Sequence, residues 1–179
     1  MIEVGIGLAA VLLSLERVTY IYIGHRPSTW LAWCHRPPLS ALGTEPVVTV
    51  RRLFIGFKAL QIAVFLAWCM IAGATIIPLP TAPPVAIVAG LALMVAGQVL
   101  STLVFRRLGG TGVFFGAELG YGNQRAEGFP FSLVPHPQYV GAVLSVWGFF
   151  LIMRYPNPDW LALPLLETTL YVVGAHLEP

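Results

Sequence analysis

From Pro84 to Phe105 the chain runs 22 residues without one charged side chain. Wound as a helix at 1.5 Å per residue, that stretch is about 33 Å long, close to the thickness of a bilayer's hydrocarbon core. It therefore reads as a membrane-spanning helix, whose backbone groups pair within the segment. Four further apolar runs accompany it. Ile2–Ile23 is broken in its interior by Glu16 and Arg17, and Leu53–Ile77 carries Lys58 near its start. Tyr139–Met153 and Trp160–Leu177 follow. Charged residues make up only 10% of the chain, against about 25% in soluble domains. That is too few to cover a soluble fold. The expectation is an all-α polytopic membrane bundle of about five transmembrane helices, forming a single domain over residues 1–179.

Tyr139–Met153 would be about 22 Å long, too short to cross alone. Pro156 and Pro158 prevent a continuous helix through residues 154–159. The last two runs are therefore expected to form a helical hairpin. In the first run, Val4–Leu15 would suit the core of a signal peptide, but no basic residue precedes it and the run continues through Tyr20–Ile23. A membrane helix is expected instead.

Basic residues orient the chain. Residues 24–52 hold Arg26, Arg36, Arg51 and Arg52, and residues 106–138 hold Arg106, Arg107 and Arg125. The other side shows Glu3, the uncharged Pro78–Pro84 turn and Arg154. Both long loops are expected to face the cytosol. The net charge of +2 is too small to point to nucleic acid. Cys34 and Cys69 suggest no disulfide framework. His25 and His35 make a weak metal pair, so no metal is expected.

The long loop at 106–138 is rich in Gly, Pro and aromatics and lacks the polar excess of a disordered linker, so order is expected. Its glycines at 110, 112 and 116 follow a helix rather than a strand and miss the dinucleotide-binding spacing. His136, between Pro135 and Pro137, falls at the start of a helix, where the dipole favours a bound anion. Glu167, Tyr171, Gly174 and Glu178 share one face of the last helix. Glu167 is a candidate for pairing with another helix. Glu178, a carboxylate at a helix C-terminus, calls for a nearby cation, from a ligand or a loop arginine. Gly90 and Gly97 lie two turns apart and suit close helix contact. Gln61 and Gln98 are candidates for bonds between helices, and Lys58 for snorkelling to the cytosolic edge.

One ordered set of residues carries a resemblance. It comprises Gly97-Gln98, Leu108-Gly109 with Gly112 and Gly116, Phe129-Pro130-Phe131, Pro137-Gln138-Tyr139-Val140-Gly141, and Leu177-Glu178-Pro179. In order and spacing it resembles the small integral-membrane phospholipid methyltransferases, most of all the phosphatidyl-N-methylethanolamine N-methyltransferases. The isoprenylcysteine carboxyl methyltransferases are more distantly similar. Val95 stands where the family has a first glycine, Leu177 where it has a first glutamate, and Pro135 where the carboxyl methyltransferases have an arginine. The resemblance implies S-adenosylmethionine as cofactor, with Gly97, Gln98, Phe131, His136, Pro137, Tyr139 and Glu178 around it. This places the active-site half at residues 90–179. Arg125, Glu167 and Tyr171 are the candidate substrate contacts, and His136 is the candidate base, with water as its rival. The implied reaction is N-methylation of an ethanolamine-type phospholipid toward phosphatidylcholine. The implied setting is the cytosolic face of the endoplasmic reticulum, or of a cytoplasmic membrane. Two alternatives stay open: carboxyl methylation of a prenylated cysteine, and a non-catalytic helical membrane subunit.

Overall fold

The computed structural model describes residues 2–122 and 128–178. Its helices are α1 (Ile2–His25), α2 (Pro27–Cys34), α3 (Pro46–Gly73), α4 (Pro84–Val113), α5 (Pro137–Met153) and α6 (Ala162–Leu177). Prolines open α2, α3, α4 and α5. Their missing N–H falls where a helix has no partner for it, and their fixed φ is already helical. Among the described residues there is no strand.

Helices α1, α3 and α4, and α6 with its 3₁₀ turn from Pro158, are each long and apolar enough to cross a membrane. Helix α5 has 17 residues, about 26 Å, and packs as a hairpin arm against α6. The expected polytopic bundle, with its last two helices paired, is what the chain forms. Packing runs as an arc, α4 on α5, α5 on α6, α6 on α1 and α1 on α3. The ends of the arc, α3 and α4, barely touch among the described residues. They approach where Phe54 meets Phe105, ring centroids 6.5 Å apart.

Small residues set the closest contact. A Cβ on Gly90 would sit 2.7 Å from the Gly148 carbonyl oxygen and 2.6 Å from Ile152 Cγ1. One on Gly97 would run into the Gly141 carbonyl and the Ser145 hydroxyl. Gly141 and Gly148 answer in kind from α5. Without water to drive association, backbones this close gain from van der Waals contact. At the turn between α5 and α6, Arg154 donates to both carboxylate oxygens of Asp159 at 2.7 and 2.8 Å, and to the Ala72 carbonyl at 3.2 Å. One buried arginine thus ties the hairpin turn to the end of α3.

At the opposite, loop-bearing end, α2 and residues 114–121 form a cover. Trp30, Cys34, Phe114 and Leu119 are buried there against Tyr20, Ile23, Val47 and Val50. Two boundaries differ from expectation. Helix α3 begins at Pro46, because Val47 and Val50 join this cluster. Helix α4 passes the Arg106-Arg107 pair and continues to Val113 across a kink at Gly109, whose φ of +67° suits glycine.

Candidate functional site

Between α1, α3, α4, α5 and α6 lies a chamber of about 700 Å³. Its floor is a chain of ion pairs. Glu16, 5% exposed, accepts from Arg17 Nη2 at 2.7 Å and from Lys58 Nζ at 3.1 Å. Lys58 donates onward to Gln61 Oε1 and to the Tyr171 hydroxyl, both at 3.1 Å. Gln61 in turn donates to Glu167 Oε1 at 2.6 Å. Charges this deep persist only when paired and hydrogen-bonded, and here three helices supply the pairing.

Arg17 is also walled by aromatics. Its guanidinium carbon lies 4.2 Å from the Tyr171 ring centroid, 4.9 Å from Tyr139 and 5.3 Å from Tyr20. Such cation–π contacts gain strength when desolvated. Tyr139, two residues into α5, reaches across and donates its hydroxyl hydrogen to Glu178 Oε2. Glu178 caps the C-terminus of α6 in extended geometry. Its other oxygen, Oε1, is buried without a partner among the described residues. Burial pushes the Glu178 carboxyl above its ordinary range, against the opposing pull of the Tyr139 hydrogen bond and the Arg17 charge.

His136 is the residue just before α5, and its backbone carbonyl accepts from Tyr139 and Val140 at 3.0 and 3.2 Å. Its ring lies exposed at the chamber mouth, stacked on Tyr139 with centroids 5.7 Å apart. Gln98, Phe131 and Pro137 complete that rim, and Gln98 donates to the Ser145 hydroxyl at 3.2 Å.

The structure brings together Gln98, Phe131, His136, Pro137, Tyr139, Tyr171 and Glu178. It separates two others. Gly97 does not line the chamber, because its face of α4 is taken by Gly141 and Ser145 of α5. Glu167 lies behind the wall, where it accepts the Gln61 bond. Arg125 falls outside the described residues. Sequence reasoning missed Arg17, Glu16 and Tyr20 of α1 as wall residues; Gln61 makes the expected bond between helices, to Glu167, whereas Lys58, expected to snorkel to the cytosolic edge, pairs with Glu16. The chamber is therefore wider than residues 90–179, because α6 closes onto α1 and carries Tyr171 and Glu178 there. The available signal was two adjacent opposite charges inside an apolar span, which is costly unless used. Among the described residues, no group of three or more His, Cys, Asp or Glu side chains is placed to hold a metal.

Residues 85–178 match the family model described as phospholipid methyltransferase. The chain is 36% identical over 90 residues to a phosphatidylethanolamine N-methyltransferase of Rattus norvegicus, covering 50% of this chain and 44% of that protein. It is 37% identical over 54 residues to a phosphatidyl-N-methylethanolamine N-methyltransferase of Arabidopsis thaliana, covering 30% of this chain and 33% of that one. The match spans less than half the length of either relative. No solved structure matches the chain.

Proposed function

The chain belongs to the phospholipid methyltransferase family, and from that premise we propose that it methylates the amine of an ethanolamine-type phospholipid, toward phosphatidylcholine, using S-adenosylmethionine. The observation that carries the reading is the Glu178 oxygen that lies buried in the chamber without a partner among the described residues. An orphaned buried acceptor is costly, and a cationic ligand relieves it. The chamber's size lies within the roughly 300–1,000 Å³ of small-molecule sites. The rat and Arabidopsis relatives carry N-methyltransferase names.

When bound, S-adenosylmethionine supplies a methyl group on a positively charged sulfur. Glu178, held by Tyr139, would offset the positive charge of the bound ligand. Phe131, Phe149 and Tyr171 exclude water around it. The acceptor is a lipid ammonium, with an ordinary pKa of about 10.4 like a lysine's, so freeing its lone pair at pH 7 costs about 4–5 kcal/mol. Apolar walls lower that cost, and in this proposal His136 at the mouth takes the proton. The gap between α3 and α4, where exposed Ile62 also lines the chamber, offers a lipid a sideways approach. The arginines of both loops support a cytosolic setting for the loop end.

Detergent-purified protein given methyl-labelled cofactor, phosphatidylethanolamine, phosphatidyl-N-methylethanolamine and farnesylcysteine should label a phospholipid amine. Label confined to the farnesylcysteine ester would replace the lipid acceptor, and no label anywhere would sink the enzyme reading.

Glu178→Gln should weaken cofactor binding by about 1–3 kcal/mol, the value of a charge-assisted hydrogen bond. In the parent, the raised carboxyl is protonated as pH falls through its pKa, while a bound cation favours the carboxylate. Affinity should therefore rise with pH through that pKa and level off above it. Calorimetry across about pH 5–8 should show this slope in the parent and its loss in the glutamine variant. The same slope in both would remove Glu178 from the cation site.

A further inference from the structure

We propose that Arg17 is the anion-binding residue of the chamber, and that Arg17 and Glu178 together clamp a zwitterion, its anionic oxygen at Arg17 and its ammonium at Glu178. The proposal rests on the methyl-transfer reading and adds to it a residue from the half of the chain that the family match does not reach.

Among the described residues two cations, Arg17 and Lys58, face the chamber, and they differ in what they have left to give. The Lys58 ammonium has three donors and three acceptors, Glu16, Gln61 and Tyr171. It is saturated. Arg17 donates through Nη2 to Glu16, but its Nη1 is buried with no partner among the described residues, in a residue only 4% exposed. Buried donors are nearly always paired in native proteins. This one belongs to a side chain that lines the chamber and is held rigid by three tyrosine rings. A donor preorganised in this way binds an anion without a further ordering penalty.

Glu178 Oε1 is an orphan of the opposite sign in the same chamber. The two residues meet over Gly174 of α6. A Cβ on Gly174 would lie 3.2 Å from Arg17 Cδ and 3.8 Å from Glu178 Oε1, so those two atoms are within about 7 Å of each other. A simple cation would satisfy Glu178 and leave Arg17 unmet. A simple anion would do the reverse. A ligand with both charges a few bonds apart satisfies both. Two ligands of the proposed reaction have that chemistry: the amino-acid end of the methyl donor, and the phosphate and amine of the lipid head.

The test uses the full chain in detergent micelles. S-adenosylhomocysteine keeps the amino-acid end, whereas 5′-methylthioadenosine lacks it. Arg17→Met leaves Glu16 paired with Lys58, so the ion-pair chain keeps a cation. It should weaken S-adenosylhomocysteine binding about 10- to 100-fold, the range for a charge-assisted hydrogen bond, and leave 5′-methylthioadenosine affinity unchanged. Arg17→Lys should recover part of the loss. Gly174→Ala, which removes no charge but presses a methyl group on Arg17 Cδ and beside Glu178 Oε1, should show the same selectivity and serves if Arg17→Met does not fold. If S-adenosylhomocysteine affinity holds and the lipid KM rises by that factor, the zwitterion is the lipid head, and the proposal stands with that ligand. Unchanged affinity and KM in Arg17→Met and Gly174→Ala would overturn it. So would equal weakening of both nucleosides together with a fallen melting temperature, which marks a structural role. A parent protein that binds no S-adenosylhomocysteine and methylates no lipid fails the methyl-transfer reading itself, before any variant is compared.

Discussion

Alanine at His136 should lower the methyl-transfer rate by about 10²- to 10⁴-fold at pH 7, the usual contribution of a positioned general base, while cofactor affinity stays near that of the parent. The residue's local structural work is done by its backbone carbonyl, which accepts the first bonds of α5, and alanine keeps that carbonyl. The ring is exposed at the chamber mouth and meets Tyr139 in a stack, so its removal opens no buried cavity. The loss should shrink at high pH, where more lipid amine is already neutral. Initial rates at about pH 7 and 9.5, with calorimetry on the same preparation, separate the possibilities. Lost cofactor binding with an unchanged pH profile would move His136 from proton transfer to the donor's pocket.

Gly97→Leu should abolish activity by a different route, through the backbone. Even a Cβ at this position runs into the Gly141 carbonyl and Ser145, and a whole isobutyl group has to force α4 from α5. Overpacking costs about 1–3 kcal/mol in compliant cores. Here the obstacle is main chain in a helix pair, so about 3 kcal/mol or more is expected. Gly56→Leu is the control, because nothing lies within 4 Å of a Cβ there. Thermal unfolding in detergent should fall sharply for the first variant and hold for the second. A Gly97→Leu protein that melts with the parent would show that the α4–α5 crossing is not as tight as its glycines imply.

The spans could be read from hydropathy because hydrocarbon leaves the backbone so few options, and the hairpin from Pro156 and Pro158. His136, Tyr139 and Glu178 could be read from motif and helix position, since each sits at or near the end of an apolar run. Arg17, Lys58 and Gln61 could not be assigned to the site in the same way. Their meaning depends on which helices neighbour one another, and hydropathy does not state that order. Once α6 is set beside α1, and α1 beside α3, the scattered charges fall into one ladder from Arg17 through Glu16, Lys58 and Gln61 to Glu167. Helix α4 was read short for a local reason. Arg106-Arg107 followed by Gly109-Gly110 looks like the end of a span, but the kink at Gly109 lets the helix turn and continue. Helix α2 escaped hydropathy because eight residues are too few to register as a span.

The ladder also bears on how the protein is made. Helix α1 is synthesised before the helices that pack on it, carrying Glu16 and Arg17, and an arginine inside a lone membrane helix costs about 2.5–3.5 kcal/mol on insertion scales. Glu16 beside it offsets part of that. Lys58 arrives with α3, but the rings of Tyr139 and Tyr171 that enclose the guanidinium belong to α5 and α6, which are synthesised later. Until they arrive, the early helices hold polar groups that lipid cannot satisfy. A nascent chain halted before α6 is then a natural substrate for membrane quality control, and the docking of α6 is the event that takes the bundle out of its reach.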